Sequence, residues 1–148
     1  MDEQLLSACR DGDLNKVKLL LSQGSINLNR LDSNNSTPFY VACDEGHVEI
    51  VKLLLNDERV DINQANEDEA TPFYIACENG HTEIVKLLLN ERVNSIEINK
   101  LGGNNNQTPF LAACQWGKID VVKLLLNDPR VDINQANNSS ATPFFGCL

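Results

Sequence analysis

The chain has 148 residues, 42% hydrophobic and 22% charged, which is one domain's worth of ordinary globular sequence and not the composition of a disordered tail. Its 12 basic and 21 acidic side chains leave a net charge of −9, a surface that on balance repels duplex nucleic acid and anionic bilayers. No apolar run reaches the roughly 20 residues that a membrane-spanning helix needs, and Met1-Asp2-Glu3-Gln4 lacks the basic and apolar regions of a secretory signal. The expectation is a soluble, cytoplasmic protein without nucleic-acid or membrane partners.

Self-similarity dominates the rest. Thr-Pro-Phe occurs at Thr37, Thr71, Thr108 and Thr142, and Lys-Leu-Leu-Leu begins at Lys18, Lys52, Lys86 and Lys123, both at a step of about 34 residues. Longer blocks recur as well, such as Gly46-His47-Val48-Glu49-Ile50-Val51 against Gly80-His81-Thr82-Glu83-Ile84-Val85.

In chain order, residues 1–31 share Ala8-Cys9, Gly12 and Lys18-Leu19-Leu20-Leu21 with the later units but lack Thr-Pro, and open on Asp2, Glu3 and Gln4. This reads as a capping unit with a polar outer face. In residues 32–65, Thr37 is suited to cap a helix with its hydroxyl and Pro38 to occupy the first helical position, where no amide is missed. That helix should stop at Gly46, the residue that enters the left-handed turn most easily. A second helix follows at once. Its Val48, Ile50, Val51, Leu53, Leu54 and Leu55 cover most of the circumference and leave Glu49, Lys52 and Asn56 as a polar stripe. The Asn- and Asp-rich stretch up to Ala70 then suits a turn or hairpin. Residues 66–102 repeat the plan with Thr71-Pro72 and Gly80, and residues 103–136 with Thr108-Pro109 and Gly117. Between these two units the loop from Asn90 to Gln107 is longer, and its hairpin is expected to bulge outward. Residues 137–148 begin another unit at Thr142-Pro143-Phe144 and stop inside its first helix, which reads as a fragment or as an apolar end that something covers.

One such helix pair cannot bury this much leucine alone, so the units must stack on one another. The residues resemble the ankyrin repeat, with its Thr-Pro-Leu-His-x-Ala, Gly-His, leucine-rich second helix and Asp-Val-Asn. The resemblance implies an all-α ankyrin-repeat solenoid of helix-turn-helix units joined by hairpin loops. Two departures stand out: phenylalanine replaces the family leucine at Phe39, Phe73, Phe110 and Phe144, and Tyr40, Tyr74, Leu111 and Phe145 replace the family histidine. The two tyrosines could keep part of the hydrogen-bond network that the histidine makes.

The cysteines follow the same step. Equivalent residues of stacked helices lie on the order of 10 Å apart, beyond the roughly 7 Å between Cα atoms that a disulfide tolerates. Cys9, Cys43, Cys77 and Cys114 are therefore expected to fill one buried slot as small hydrophobes, leaving Cys147, one residue out of step, as the exposed thiol. His47 and His81 stand at the start of second helices, where the ring packs and hydrogen-bonds. Neither has a second ligand or a nucleophile nearby in sequence, and no catalytic or phosphate-binding motif occurs. The expectation is no enzyme, no metal and no cofactor. Sequons at Asn34, Asn35, Asn106, Asn137 and Asn138 read as loop composition in a protein that is not secreted.

What remains is a recognition surface. In ankyrin-like stacks partners meet the hairpin tips and the concave face of the first helices. Carried onto this chain, the first-helix positions are Arg10, Asp11, Asp44, Glu45, Glu78, Asn79, Gln115 and Trp116. The tips are Ser33, Asn34 and Ser36; Glu67, Asp68 and Ala70; Asn104, Asn105 and Gln107; and Asn138, Ser139 and Ala141. From these, Asp44, Glu45, Glu67, Asp68, Glu78, Asn79, Asn105, Gln107, Gln115 and Trp116 are the candidate contacts for a protein partner. The acidic middle points to a basic segment. Trp116 reads either as a hot-spot anchor or as a cover over the long neighbouring loop. Lysines of the second-helix stripe should pair with Glu49, Glu83 and Asp120 three residues earlier. The family's Leu-x5-Asp-hydrophobic-Asn pattern for asparagine hydroxylation is matched at Asn63 and Asn134. A spacer segment of a longer array, or the docking module of an enzyme, are the alternatives to a recognition scaffold, and the chain is expected to be monomeric or weakly associated through its uncapped C-terminal end.

Overall fold

The computed structural model describes residues 2–91 and 95–137. The final Thr-Pro-Phe unit, Cys147 and the tip residues Asn138, Ser139 and Ala141 lie outside these. Eight α-helices are formed among the described residues: α1 (Asp2–Asp11), α2 (Leu14–Ser22), α3 (Pro38–Glu45), α4 (Val48–Leu55), α5 (Pro72–Asn79), α6 (Thr82–Asn90), α7 (Pro109–Gln115) and α8 (Ile119–Leu126). They pair as antiparallel neighbours, and the pairs stack so that α1, α3, α5 and α7 form one row and α2, α4, α6 and α8 another. The first row is packed far more closely than the second. The stack therefore curves toward it, and the first helices line the concave side.

The helix ends follow their capping chemistry. Thr37, Thr71 and Thr108 accept the amide hydrogens of Tyr40, Tyr74 and Leu111, each at 3.1 Å, with proline at the first helical position. Gly46 and Gly80 close α3 and α5 in the left-handed conformation. The third unit departs slightly: α7 stops at Gln115, with Trp116 as its C-cap and Gly117 taking the positive φ one residue later.

The core runs the length of the stack. Ile50, Val51, Leu54 and Leu55 of α4, and their counterparts Ile84, Val85, Leu88 and Leu89 of α6, are buried. Glu49 pairs with Lys52 at 2.8 Å and Glu83 with Lys86 at 3.6 Å on the outer stripe. The expected third pair, Asp120 with Lys123, is not formed, because the aspartate is one methylene shorter than glutamate. Cys9, Cys43 and Cys77 are free and buried, as stacked equivalents too far apart to bond. Burial pushes the Cys9 thiol up to about 12 and the Cys43 and Cys77 thiols up as well. Cys114 corrects the expectation of four free thiols: it is disulfide-bonded.

Polar ties hold neighbouring units in register. Asn29 donates to the Arg59 carbonyl at 2.8 Å and accepts the Asp61 amide at 2.8 Å. Asn63 does the same with the Ser95 carbonyl and the Glu97 amide, and Asn99 with the Arg130 carbonyl and the Asp132 amide. These amides form a ladder of equivalent rungs, and the rungs on both sides of the long loop are made, so the stack continues across it. At the hairpin tips, the Glu67 amide bonds the Asn34 carbonyl at 3.0 Å and the Gly103 amide the Asp68 carbonyl at 2.9 Å, joining one tip to the next. Gly103 is required there because a side chain would overlap the Tyr74 ring.

Each tip turns through one non-glycine residue of positive φ, Asn35 at 59°, Glu69 at 60° and Asn106 at 46°, joined in the third tip by Gly103 at 73°. Asparagine adopts this region at less cost than glutamate does. Glu69→Asn should therefore raise stability by roughly 1 kcal/mol in thermal denaturation, and a lowered melting temperature would contradict the assignment. Asn29→Ala strands a carbonyl and an amide of the next unit and should cost roughly 1 kcal/mol. An unchanged urea midpoint would show that the ladder contributes nothing.

Candidate functional site

The concave face is built by the last turn of each first helix. Two positions there repeat from unit to unit, filled by Arg10, Asp44, Glu78 and Gln115 and by Asp11, Glu45, Asn79 and Trp116. The helix-closing glycine that follows lets the chain reverse, so the preceding pair stands at the rim of the row.

A side-chain tie runs between units at this rim. Asn79 donates its amide to Asp44 Oδ1 at 2.8 Å and to the Asp44 carbonyl at 3.1 Å. One unit on, the Trp116 indole N–H donates to Glu78 Oε1 at 3.0 Å. The donor comes from the later unit in both cases. Sequence reasoning missed this relation, although a donor one residue before the glycine and an acceptor two before the preceding glycine were present as a pattern. The histidines reinforce it: His47 Nε2 meets the Arg10 carbonyl at 3.0 Å and His81 Nε2 the Asp44 carbonyl at 2.8 Å. They serve as inter-unit staples, as expected from their place at the start of α4 and α6.

Trp116 is 58% exposed. It is held by Glu78 and not buried as a cover over the neighbouring loop.

The carboxylates gather around Tyr40. Its hydroxyl accepts from Asn66 at 3.1 Å, and burial foremost, with Asp44, Glu78 and Asp68 nearby, raises its pKa. Glu78 is also raised, first by burial, then by Asp44 and Asp68, against the opposing hydrogen bond from Trp116. No lysine or arginine pairs with these three carboxylates among the described residues. The acidic middle is thus a convergent group of Asp44, Asp68 and Glu78. At its N-terminal edge Arg10 is neutralised by Asp32 at 3.0 Å.

The other candidates divide. Glu45, Glu67, Asn105 and Gln115 are exposed. Gln107 is not: it is 2% exposed, with Nε2 donating to the Tyr74 hydroxyl at 3.3 Å and Oε1 unpartnered. Its equivalents Ser36 and Ala70 are buried too. The residue just before the capping threonine lies at the hairpin base, where the strand-like bridge of Gly102 to Gln107 turns the side chain inward. These three are removed from the tip surface. Tyr40 and Tyr74 do take over hydrogen bonds between units, as anticipated, whereas Leu111 has no group to do so.

Of the two asparagines in the hydroxylation pattern, Asn63 is a half-buried rung of the ladder with its amide engaged on both sides. Asn134 is exposed. Among the described residues there is no cluster of His, Cys, Asp and Glu able to hold a metal ion, and no helix long and apolar enough to cross a membrane.

A family model described as ankyrin repeats, in three copies, matches residues 3–66 and 58–137. The chain belongs to the ankyrin repeat family. No curated protein matches it in a sequence search. Ankyrin repeats are in general protein–protein interaction modules and typically non-catalytic.

The raised Glu78 has a thermodynamic sign. The folded ankyrin stack holds this proton more tightly than the unfolded chain, so stability falls as pH rises from the ordinary carboxyl value through the raised one. Glu78→Gln keeps an oxygen for the Trp116 N–H and cannot ionise. Its stability relative to wild type should increase across that window and level off above it; urea titrations from pH 4 to 8 with parallel curves would refute the cause.

Proposed function

We propose that this ankyrin stack is a recognition scaffold, without catalysis, that binds a protein partner carrying a basic segment along its concave face and exposed hairpin tips. The observation that carries the reading is the convergence of Asp44, Asp68 and Glu78 around Tyr40, with no lysine or arginine among the described residues paired to them. Like charges brought together are unfavourable in the free protein, and a basic segment relieves that repulsion while being steered in at low ionic strength. Exposed Glu45, Glu67, Asn105 and Gln115 extend the contact surface along the rim and tips. We place the protein in the cytoplasm, and Asn63 and Asn134 remain proposed sites of hydroxylation.

A second reading rests on a different observation. Leu126 is 55% and Ile133 43% exposed, whereas their equivalents Leu55 and Ile62 are each 4% exposed beneath the next unit. Weak self-association through this end is the expected consequence, read out as a concentration-dependent mass in light scattering.

The primary reading is tested by affinity capture from cytosolic extract with wild type and a Glu45→Arg, Asp68→Arg variant. Neither side chain ties two units together, so both proteins should melt alike. A partner retained by wild type, lost with the variant and weakened by salt is expected. Equal retention by both would move the site off the concave face, and retention by neither would favour a spacer segment.

A further inference from the structure

Resting on the recognition reading, we infer that Trp116 and the carboxylates beside it form a receptor for an arginine side chain of the partner, with the guanidinium laid on the indole face.

The chain contains its own control for what this position needs structurally. Asn79, the equivalent of Trp116 one unit earlier, makes the inter-unit tie to Asp44 with a small amide. Trp116 makes the matching tie to Glu78 through one N–H at its edge. The remainder of the ring is surplus to that tie, and the residue as a whole is 58% exposed. The hydrogen bond pins the edge of the indole, so the face is presented in one orientation and loses little freedom when something stacks on it.

The chemistry around the ring selects the ligand. Glu78 uses Oε1 for Trp116, which leaves its Oε2 without a hydrogen-bond partner among the described residues, and the Asp44 carboxylate adds negative charge near Glu78. A cation is favoured both by these carboxylates and by the quadrupole of the indole. A planar guanidinium can stack on the ring while its in-plane donors reach outward to separate acceptors, and an ammonium cannot do both.

The test uses fluorescein-labelled oligo-arginine and oligo-lysine peptides of equal length, titrated by anisotropy into wild type, Trp116→Asn and Glu78→Gln at low salt. Trp116→Asn keeps a donor for the tie, as Asn79 does, so its melting temperature should match wild type. The expected result is oligo-arginine binding tighter than oligo-lysine by about fivefold or more, with the preference lost in Trp116→Asn. Arginine should also quench the fluorescence of wild type, whose single tryptophan is Trp116. Equal binding of both peptides, unaffected by Trp116→Asn but weakened by Glu78→Gln, would overturn the arginine receptor and leave the acidic recognition face standing. Binding of neither peptide to wild type would overturn both.

Discussion

A pair of eight-residue helices has no interior of its own, and every other feature of this molecule follows from that shortage. Leu54 of α4 and Leu88 of α6 are fully buried only because another pair lies against each of them. Burying such a side chain is worth on the order of 2 kcal/mol, a gain open to a pair only when a neighbour closes over it. Stability is therefore a property of interfaces between units. The polar ties then fix the spacing that the leucines require. A rung such as Asn29 pairs one carbonyl and one amide of the next unit and so admits a single register.

The same arrangement shapes the recognition surface. Closer packing of the first-helix row bends the stack toward it, and this brings the final turns of α3 and α5 near the second hairpin tip. Asp44, Asp68 and Glu78 come from three separate segments and act together on Tyr40. The ties at the rim serve stacking, yet they also orient groups toward solvent. Glu78 spends one oxygen on Trp116 and keeps the other, and Trp116 spends its N–H and keeps its ring face. Structure and recognition draw on different atoms of the same side chains, so the two roles coexist at one position.

Much of this was legible in the residues because it depends on local chemistry. Threonine before proline, glycine after eight residues and a leucine-rich second helix each have a short-range reason, and the helices begin and end where those reasons place them, within one residue at Trp116. The buried cysteines were legible from their step alone, for Cys9, Cys43 and Cys77. The asparagine ladder was present as a repeated letter but had no meaning in one dimension, since its partners lie 30 and more residues away. Gln107 was misplaced for a related reason. A polar residue in a polar loop looks exposed until the bridge to Gly102 shows which way it faces.

By itself the sequence determined the repeat, the helix termini, the all-helical stack and the acidic character of the rim, because capping, periodicity and charge are written in neighbouring letters. Only the tertiary structure decided which side chains meet across units: Trp116 with Glu78, Asn79 with Asp44, Tyr40 with Asn66. Those meetings depend on how far one pair of helices is shifted and turned against the next, and that offset is set by the packing of the whole interface, to which no single residue holds the key.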